Sequence, residues 1–464
     1  MFGRVKHVHM VGIGGIGMSS IALVLLSRGY AVSGSDLAES ETTHTLQDRG
    51  AKITIGHSTD NVPTADVVVY SSAVDPTRNV ETLRAEQLHI PLIKRSVMLG
   101  ELMRMKYGIG IAGTHGKTTT TSMTGRVVSE GRFDPTIVVG GKVAEFGSNA
   151  LVGEGDIIVI EADEYDRTFL RLTPSLAVIT NIDADHLDIY QDLDSIKDAF
   201  VQFANSVPFF GAAIVCIDNV NVQDIVKRID RRVVTFGESR QARLRAENIK
   251  LEGLQSTFDV IADNATLGTI SIRMPGRHNV LNALAAIAVG LELDIDFQAI
   301  THALESFSGV SRRFEILADS GDVIIVNDYA HHPVEVSSTL DAASACWPKN
   351  RIVAVFQPHL FSRTLDLKEE FARAFFDADR VIITGIYRAR EEEIPGVSGQ
   401  LIADLAEMYG HKDIEYIESL ADVEDRLKKI IDAGDRVIFM GAGDIWRTAT
   451  QIAEKYTSKQ NQSG

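Results

Sequence analysis

The sequence predicts an α/β protein, and three observations carry that prediction. Short β-branched runs alternate with helical stretches along most of the 464 residues, the pattern of βαβ units around a parallel sheet. Two glycine-rich turns, Gly12 to Gly17 and Gly113 to Thr118, each stand between such a run and a helical stretch. The alternation restarts after residue 308, and a chain of this length holds about three domains.

Taken in order, the first domain spans 1–95, with runs at Val8 to Val11, Ala31 to Ser33, Ile53 to Ile55 and Val67 to Tyr70. Its start imitates a signal peptide, because Arg4 and Lys6 precede a stretch from Val8 to Ser27 that is uncharged at pH 7 with His9 neutral. Gly12, Gly14, Gly15 and Gly17 interrupt that stretch, and each costs about 1 kcal/mol against alanine in a helix. No small-residue cleavage pattern follows, so a strand, a tight turn and a helix are expected, in a cytoplasmic protein that neither enters nor crosses a membrane. The second domain, 96–308, begins with a helix from about Ser96 to Met103 and the strand Tyr107 to Ala112. A glycine turn and a helix from Lys117 to about Glu130 follow, then the runs Asp156 to Ile160 and Leu176 to Thr180. From Arg243 to Met274 polar and apolar residues alternate around Ala262-Asp263-Asn264, which reads as antiparallel strands. The helices Asn279 to Leu293 and Phe297 to Phe307 close this domain. Small residues at Ser308-Gly309-Val310-Ser311 mark the next boundary. The third domain, 309–464, has strands Val323 to Val326, Ile352 to Phe356, Val381 to Thr384 and Val437 to Met440, with helices such as Thr364 to Phe376. The polar tail Thr457 to Gly464 is expected to be disordered.

Charge narrows the partners. With 46 Lys and Arg against 63 Asp and Glu the net charge is −17, which repels nucleic acid and anionic membranes unless basic residues cluster locally. Two distant cysteines, Cys216 and Cys346, offer no CxxC pair and no disulfide framework, as in a reducing compartment.

The chemistry concentrates at strand ends. Gly12-Ile13-Gly14-Gly15-Ile16-Gly17 is a G-x-G-x-x-G turn that suits a nucleotide diphosphate at a helix N-terminus, and Asp36 lies where dinucleotide folds place a ribose-binding acid. Taken alone, the turn is compatible with NAD or another diphosphate nucleotide. Gly113-Thr114-His115-Gly116-Lys117-Thr118 is a phosphate loop: backbone N–H groups cradle phosphates, Lys117 neutralises them and the Thr118 hydroxyl ligates Mg²⁺. It departs from the full signature, because Ile111 stands where the first glycine belongs. Glu161 and His186 follow strands, and oxygen donors such as Thr118 and Glu161 suit a hard cation beside phosphates. Asp163, Glu164, Asp166, Asp183, Asp185 and Asp188 read as solvated or supporting carboxylates. Arg277-His278-Asn279, Arg312-Arg313, His331-His332-Pro333, Gln357-Pro358-His359 and Arg363 bring local positive charge to an acidic protein.

Together these motifs resemble the Mur ligase family of peptidoglycan assembly over essentially the whole chain, and within it the members that add the first amino acid. The resemblance rests on GIGGIGM from Gly12, GTHGKTTT from Gly113, EADEYD from Glu161 and TNIDADHLD from Thr180. In the second half it rests on GRHNVLN from Gly276, SRRFE from Ser311, NDYAHHP from Asn327, QPHLFSRT from Gln357 and GAGDI from Gly441. It implies a Rossmann-like N-terminal domain for the UDP-sugar, a central P-loop ATPase domain with a mostly parallel sheet, and a Rossmann-like C-terminal domain that brings the amino acid. The implied reaction is ATP-dependent amide formation between L-alanine and the lactyl carboxylate of UDP-N-acetylmuramate, with an acyl phosphate between and Mg²⁺ as cofactor. Gly14, Gly15, Ile16, Gly17, Asp36, Ser71 and Ser72 would meet the UDP-sugar. Gly113, Thr114, His115, Gly116, Lys117, Thr118 and Thr119 would meet ATP, as would His278, Asn279, Asn282, Arg313, Asp328 and Tyr329. The metal would be held through Thr118, Glu161 and His186. His331, His359 and Arg363 would place L-alanine and the reacting groups. Later-acting members use a carbamylated lysine, and the corresponding stretch here, about Phe200 to Phe203, has none; Lys197 lies about a turn too early. A recycling ligase that joins a whole peptide to the same UDP-sugar is the nearest alternative. An NAD-dependent oxidoreductase would leave the phosphate loop unexplained, and a non-catalytic nucleotide switch is the third reading. A monomer or weak homodimer is expected.

Overall fold

The computed structural model describes residues 3–143, 148–185, 187–389 and 391–463. The chain divides into two compact units. One comprises Met1–Glu247, Asp259–Ile270 and Leu281–Ser308, and the other Asn248–Phe258, Ser271–Val280 and Gly309–Gly464.

The first unit opens with a five-stranded sheet made of β1 (His7–Val11), β2 (Ala31–Asp36), β3 (Lys52–Ile55), β4 (Val67–Tyr70) and β5 (Leu92–Lys94). All its pairings are parallel, in the order β3-β2-β1-β4-β5. Helices α1 (Ile16–Ser27), α2 (Glu41–Asp48), α3 (Val80–Gln87) and α4 (Arg95–Met103) accompany it. Ser40 and Thr43 form a capping box at α2, and the Asn79 side chain caps α3, each satisfying N–H groups that a helix start leaves unpaired. By contrast α1 starts at Gly15 without a side-chain cap.

The second sheet contains β6 (Tyr107–Ala112), β7 (Thr136–Val143), β8 (Ser148–Leu151), β9 (Ile157–Glu161), β10 (Leu176–Ile179), β11 (Ala212–Cys216), β12 (Val233–Gly237), β13 (Leu244–Glu252), β14 (Gln255–Ala262) and β15 (Ala265–Ile272). Its order is β15-β14-β13-β12-β11-β10-β6-β9-β7-β8. The pairs from β13 to β7 are parallel and β7 pairs β8 antiparallel. Strand β6 therefore sits between β9 and β10, and the phosphate loop leaves its carboxyl end where the two neighbours deliver their own last residues. Helix α5 (Lys117–Glu130) follows the loop. One hydrophobic cluster runs from Val8 and Met10 through Leu99 and Met103 to Phe169 and Phe203, so the first two sheets share a core. The Asn149 amide reinforces the join by donating to Ser19 Oγ and to the Ile16 carbonyl.

The second unit carries the third sheet, β16 (Glu315–Asp319), β17 (Ile324–Asp328), β18 (Ile352–Phe356), β19 (Arg380–Thr384), β20 (Ile414–Ile417) and β21 (Arg436–Met440), in the order β16-β17-β21-β18-β19-β20. Only β16 runs antiparallel. Separate apolar clusters cover its two faces. Because β17, β21 and β18 are neighbours, the loops after Asp328, Phe356 and Met440 emerge side by side.

The α/β architecture of three sheets is the expected one, with three local corrections. The tail is helical: Ile445–Ser463 is one helix, because no glycine or proline interrupts it and Ile445, Ala449, Ile452 and Ala453 anchor its start in the core, after which propagation is easy. The helix expected at Thr364 to Phe376 is two, Phe361–Asp366 and Lys368–Arg373, parted where Leu367 leaves helical dihedrals at φ −112°. The hairpin β7 and β8 is an addition that the sequence did not announce. Among the described residues no helix is long and apolar enough to cross a membrane.

Candidate functional site

Gly113 and Gly116 take φ of +140° and +80°, values that favour glycine. A Cβ on Gly113 would overlap the Thr180 hydroxyl, and one on Gly116 would come within 2.5 Å of Asn282 Oδ1. The loop is clamped from β10: Thr180 Oγ1 donates to the His115 carbonyl at 2.7 Å, Asn181 Nδ2 to the same oxygen at 3.0 Å, and His115 N–H to Asn181 Oδ1 at 2.8 Å. Asp183 N–H donates to Thr114 Oγ1 at 2.9 Å. Beneath the loop, Thr120 Oγ1 donates to Asn282 Oδ1 at 3.0 Å. Ile111 is fully buried inside β6, which explains the missing first glycine: the strand continues through that position and the turn begins at Gly113.

Lys117 opens α5. Its ammonium donates to the carbonyls of Gly113 and Thr114 at 2.8 and 3.1 Å and to Glu164 Oε1 at 2.9 Å. Burial opposes that charge, but Glu164, Asp163 and Glu161 outweigh it and hold the ammonium protonated above its usual range. Burial pushes the Glu164 carboxyl up, and Lys117 offsets part of the push. At the end of β9, Glu161 accepts from Thr118 Oγ1 at 3.0 Å and from the Gly140 N–H at 2.7 Å; burial raises this carboxyl too. Thr118, Glu161 and Asp163 thus gather oxygen atoms beside a phosphate loop, donor chemistry that fits Mg²⁺. His186, the third expected ligand, lies outside the described residues. Lys197 is paired with Asp224 at 2.8 Å, and Phe200 and Phe203 are fully buried.

A pocket of about 260 Å³ joins this end to the first glycine turn, lined by Gly15, Ile16, Gly17, Ser71, Ser72 and Arg95 on one side and by Gly140, Glu161 and Asp163 on the other. Asp36 does not line it. Its carboxylate accepts the Gly14 N–H at 2.7 Å and the Leu37 N–H at 2.8 Å, so it shapes the turn from behind.

In the second unit the Asp328 carboxylate accepts from the Phe314 and Ala330 N–H groups at 2.7 Å each. Burial lifts its pKa to about 6 although Arg313 and those bonds pull it down. Arg312 and Arg313 lie over the Tyr329 ring at 4.7 and 5.1 Å, and Arg312 also donates to the Gly441 carbonyl at 2.9 Å. His331 Nδ1 is 3.0 Å from the Tyr329 carbonyl and 3.1 Å from Glu335. A carbonyl only accepts, so Nδ1 bears a proton, and in the neutral form of the ring the lone pair lies on Nε2. His359 is the reverse: its Nδ1 lies 3.3 Å from the donor-only Arg363 guanidinium, which puts its proton on Nε2. The two rings stand 6.0 Å apart. His278 is also in this unit, and burial drops it to about 4, Arg313 adding to the drop while Asp341 opposes it; Asn279 Nδ2 donates to the Pro275 carbonyl at 2.7 Å.

Sequence reasoning placed Glu164 among solvated or supporting carboxylates, and the structure makes it the supporting partner of Lys117; it missed Arg95 and Glu335. Glu335 sits one helical turn from His331, a spacing that a search for His partners would have found. Arg95 had no local signal beyond standing at the end of β5.

Family models match the chain in three consecutive stretches: the Mur ligase family catalytic domain over residues 7–107, the Mur ligase middle domain over 111–290 and the Mur ligase glutamate ligase domain over 312–443. The UDP-N-acetylmuramate–L-alanine ligase of Salinibacter ruber is 58% identical over 452 residues, covering 97% of this chain and 95% of that one. Its counterpart in Trichlorobacter lovleyi is 50% identical over 98% of this chain and 100% of its own. Among solved structures, the UDP-N-acetylmuramate-alanine ligase of Thermotoga maritima superposes with a TM-score of 0.80 at 31% identity, covering 98% and 99% of the two chains. A murein peptide ligase from Psychrobacter arcticus shares the fold, with a TM-score of 0.68 at 24% identity over 97% and 98%.

Proposed function

The chain belongs to the Mur ligase family, and from that membership we infer its reaction: it is an ATP-dependent ligase that joins L-alanine to UDP-N-acetylmuramate in peptidoglycan precursor synthesis, in the cytoplasm. The observation that carries the residue assignment is the pocket, in which the first glycine turn with Ser71 and Ser72 faces Glu161 and Asp163. A UDP-sugar whose diphosphate rests on Gly15, Ile16 and Gly17 extends its sugar and lactyl carboxylate toward the ATP loop.

On this reading residues 1–95 hold the UDP-sugar, 96–308 hold ATP and 309–464 bring L-alanine and close the site. The lactyl carboxylate, with a pKa near about 4, is ionised at neutral pH and attacks the γ-phosphorus without a general base. ADP leaves and an acyl phosphate forms. Attack by one anion on another needs charge cancellation. Lys117 exchanges Glu164 for the β- and γ-phosphates, and the N–H groups of Gly113 to Thr118 take the remaining oxygens. Thr118 and Glu161 would hold Mg²⁺, which supplies further neutralisation of the phosphates when bound. The amine of L-alanine then attacks the acyl carbon and phosphate departs. With an α-amino pKa of roughly 8, about a tenth of the amine is free at pH 7, so deprotonation contributes at most about tenfold. Positioning supplies the larger share. His331, with its lone pair on Nε2, accepts the amine proton; His359 and Arg363 orient the carboxylate of the amino acid. Arg313, Asp328 and Tyr329, with His278, Asn279 and Asn282, meet the nucleotide.

ADP formation measured with each substrate omitted in turn tests the reading. Sustained release is expected only with ATP, UDP-N-acetylmuramate and L-alanine together, and at most one equivalent without L-alanine; release that persists without the UDP-sugar would reject it.

A further inference from the structure

The third glycine of the first turn, Gly17, has no positive φ to account for it. It lies in the first turn of α1, where alanine would be the better helix former. A Cβ at Gly17 would overlap the Arg95 guanidinium, coming within 3.1 Å of its Cζ and Cδ. The glycine leaves room for an arginine. Arg95 is the first residue of α4, half-buried, and lines the pocket. Among the described residues no hydrogen bond or ion pair engages it, although the same pocket contains Glu161 and Asp163.

A guanidinium carries five N–H donors in a planar fork and stays charged at any working pH. Leaving it partly buried and unmatched is costly unless an anion arrives. The available space lies beside the uncapped first turn of α1, which has no acidic residue and whose N–H groups favour negative charge. The opposite wall is carboxylate and repels anions. We propose that Arg95 binds the diphosphate of the UDP-sugar, its fork spanning phosphate oxygens that the α1 turn holds from the other side, and that Gly17 is required to seat it. This rests on the proposed function and adds to it a charged ligand for the diphosphate.

Binding of UDP and of uridine is measured by calorimetry to wild type, Arg95→Met, Arg95→Lys and Gly17→Ala, with ATP binding as the control for folding. Arg95→Met is expected to raise the UDP dissociation constant about ten- to hundredfold, with uridine and ATP unchanged. Arg95→Lys falls between, because an ammonium keeps the charge and loses the fork. Gly17→Ala, which leaves every charge in place, weakens UDP in the same sense by displacing the guanidinium. Equal losses for UDP and uridine would make Arg95 a packing residue and overturn the proposal. Unchanged UDP binding alongside weakened UDP-N-acetylmuramate binding would move the arginine to the lactyl carboxylate and also overturn it. A wild type that binds no UDP would instead overturn the proposed function, and the assignment with it.

Discussion

Lys117 and Glu164 form an ion pair in which the carboxylate is buried and the lysine side chain is 13% exposed. Breaking such a pair from one side leaves a buried charge and costs about 3 to 5 kcal/mol. Lys117→Ala is expected to reduce ADP release to background while leaving UDP binding in place. Glu164→Gln is expected to lower Tm without ATP and to show a larger ATP-induced rise in Tm than wild type, because the phosphates then restore a partner to the ammonium. Equal rises would mean that Lys117 keeps Glu164 with ATP bound. The histidines divide by tautomer: His331→Ala should lower kcat more at about pH 7 than at about pH 9, where the amine of L-alanine is already free, while His359→Ala should lower kcat by a similar factor at both. Lys117 and Thr118 were legible in the sequence because a phosphate loop is local. Arg95, Glu164 and the contrast between the histidines were not, since each depends on a partner that only tertiary structure supplies.

At the scale of elements, β1, β2 and α3 are joined by a buried polar network. Glu81 is fully buried and meets His9 at 3.1 Å, Ser35 at 2.6 Å, Asn61 at 2.6 Å and the Ser58 N–H at 3.0 Å. Burial pushes its pKa up, but those hydrogen bonds win and bring it down to about 2. A depressed carboxylate stabilises the fold above its unfolded pKa and loses that contribution as pH falls through the folded value. Glu81→Gln should therefore cost about 3 kcal/mol near neutral pH, narrowing between about pH 4.5 and 2; a pH-independent deficit in denaturant titrations would contradict this. In α5, Gly116→Ala places a Cβ against Asn282 at positive φ, and weaker ATP binding with a loss of about 1 to 2 kcal/mol is expected. Strand β6 and α5 were legible to the residue because the apolar run, the glycines and the helix formers are contiguous. The hairpin β7 and β8 was not, because Gly140 and Gly141 dilute its β-branched pattern. His9 and Glu81 were invisible because 72 positions separate them.

For the molecule as a whole, the two units have cores of their own, while the first two sheets share one. Calorimetry should resolve two transitions, with UDP raising only the one that belongs to the first unit; a single transition that moves as one would show the units to be thermodynamically inseparable. The net charge of −17 needs local relief for anionic substrates, and Lys117, Arg95 and the loop amides provide it within the first unit. The pocket that links Gly15, Ile16 and Gly17 to Glu161 and Asp163 has a further meaning for inhibition. A compound small enough to fill it would press on both ends at once. On the proposed function it would read as competitive against the UDP-sugar and against nucleotide in separate titrations, and an enzyme escaping it by substitution would have to alter a surface assigned to both substrates.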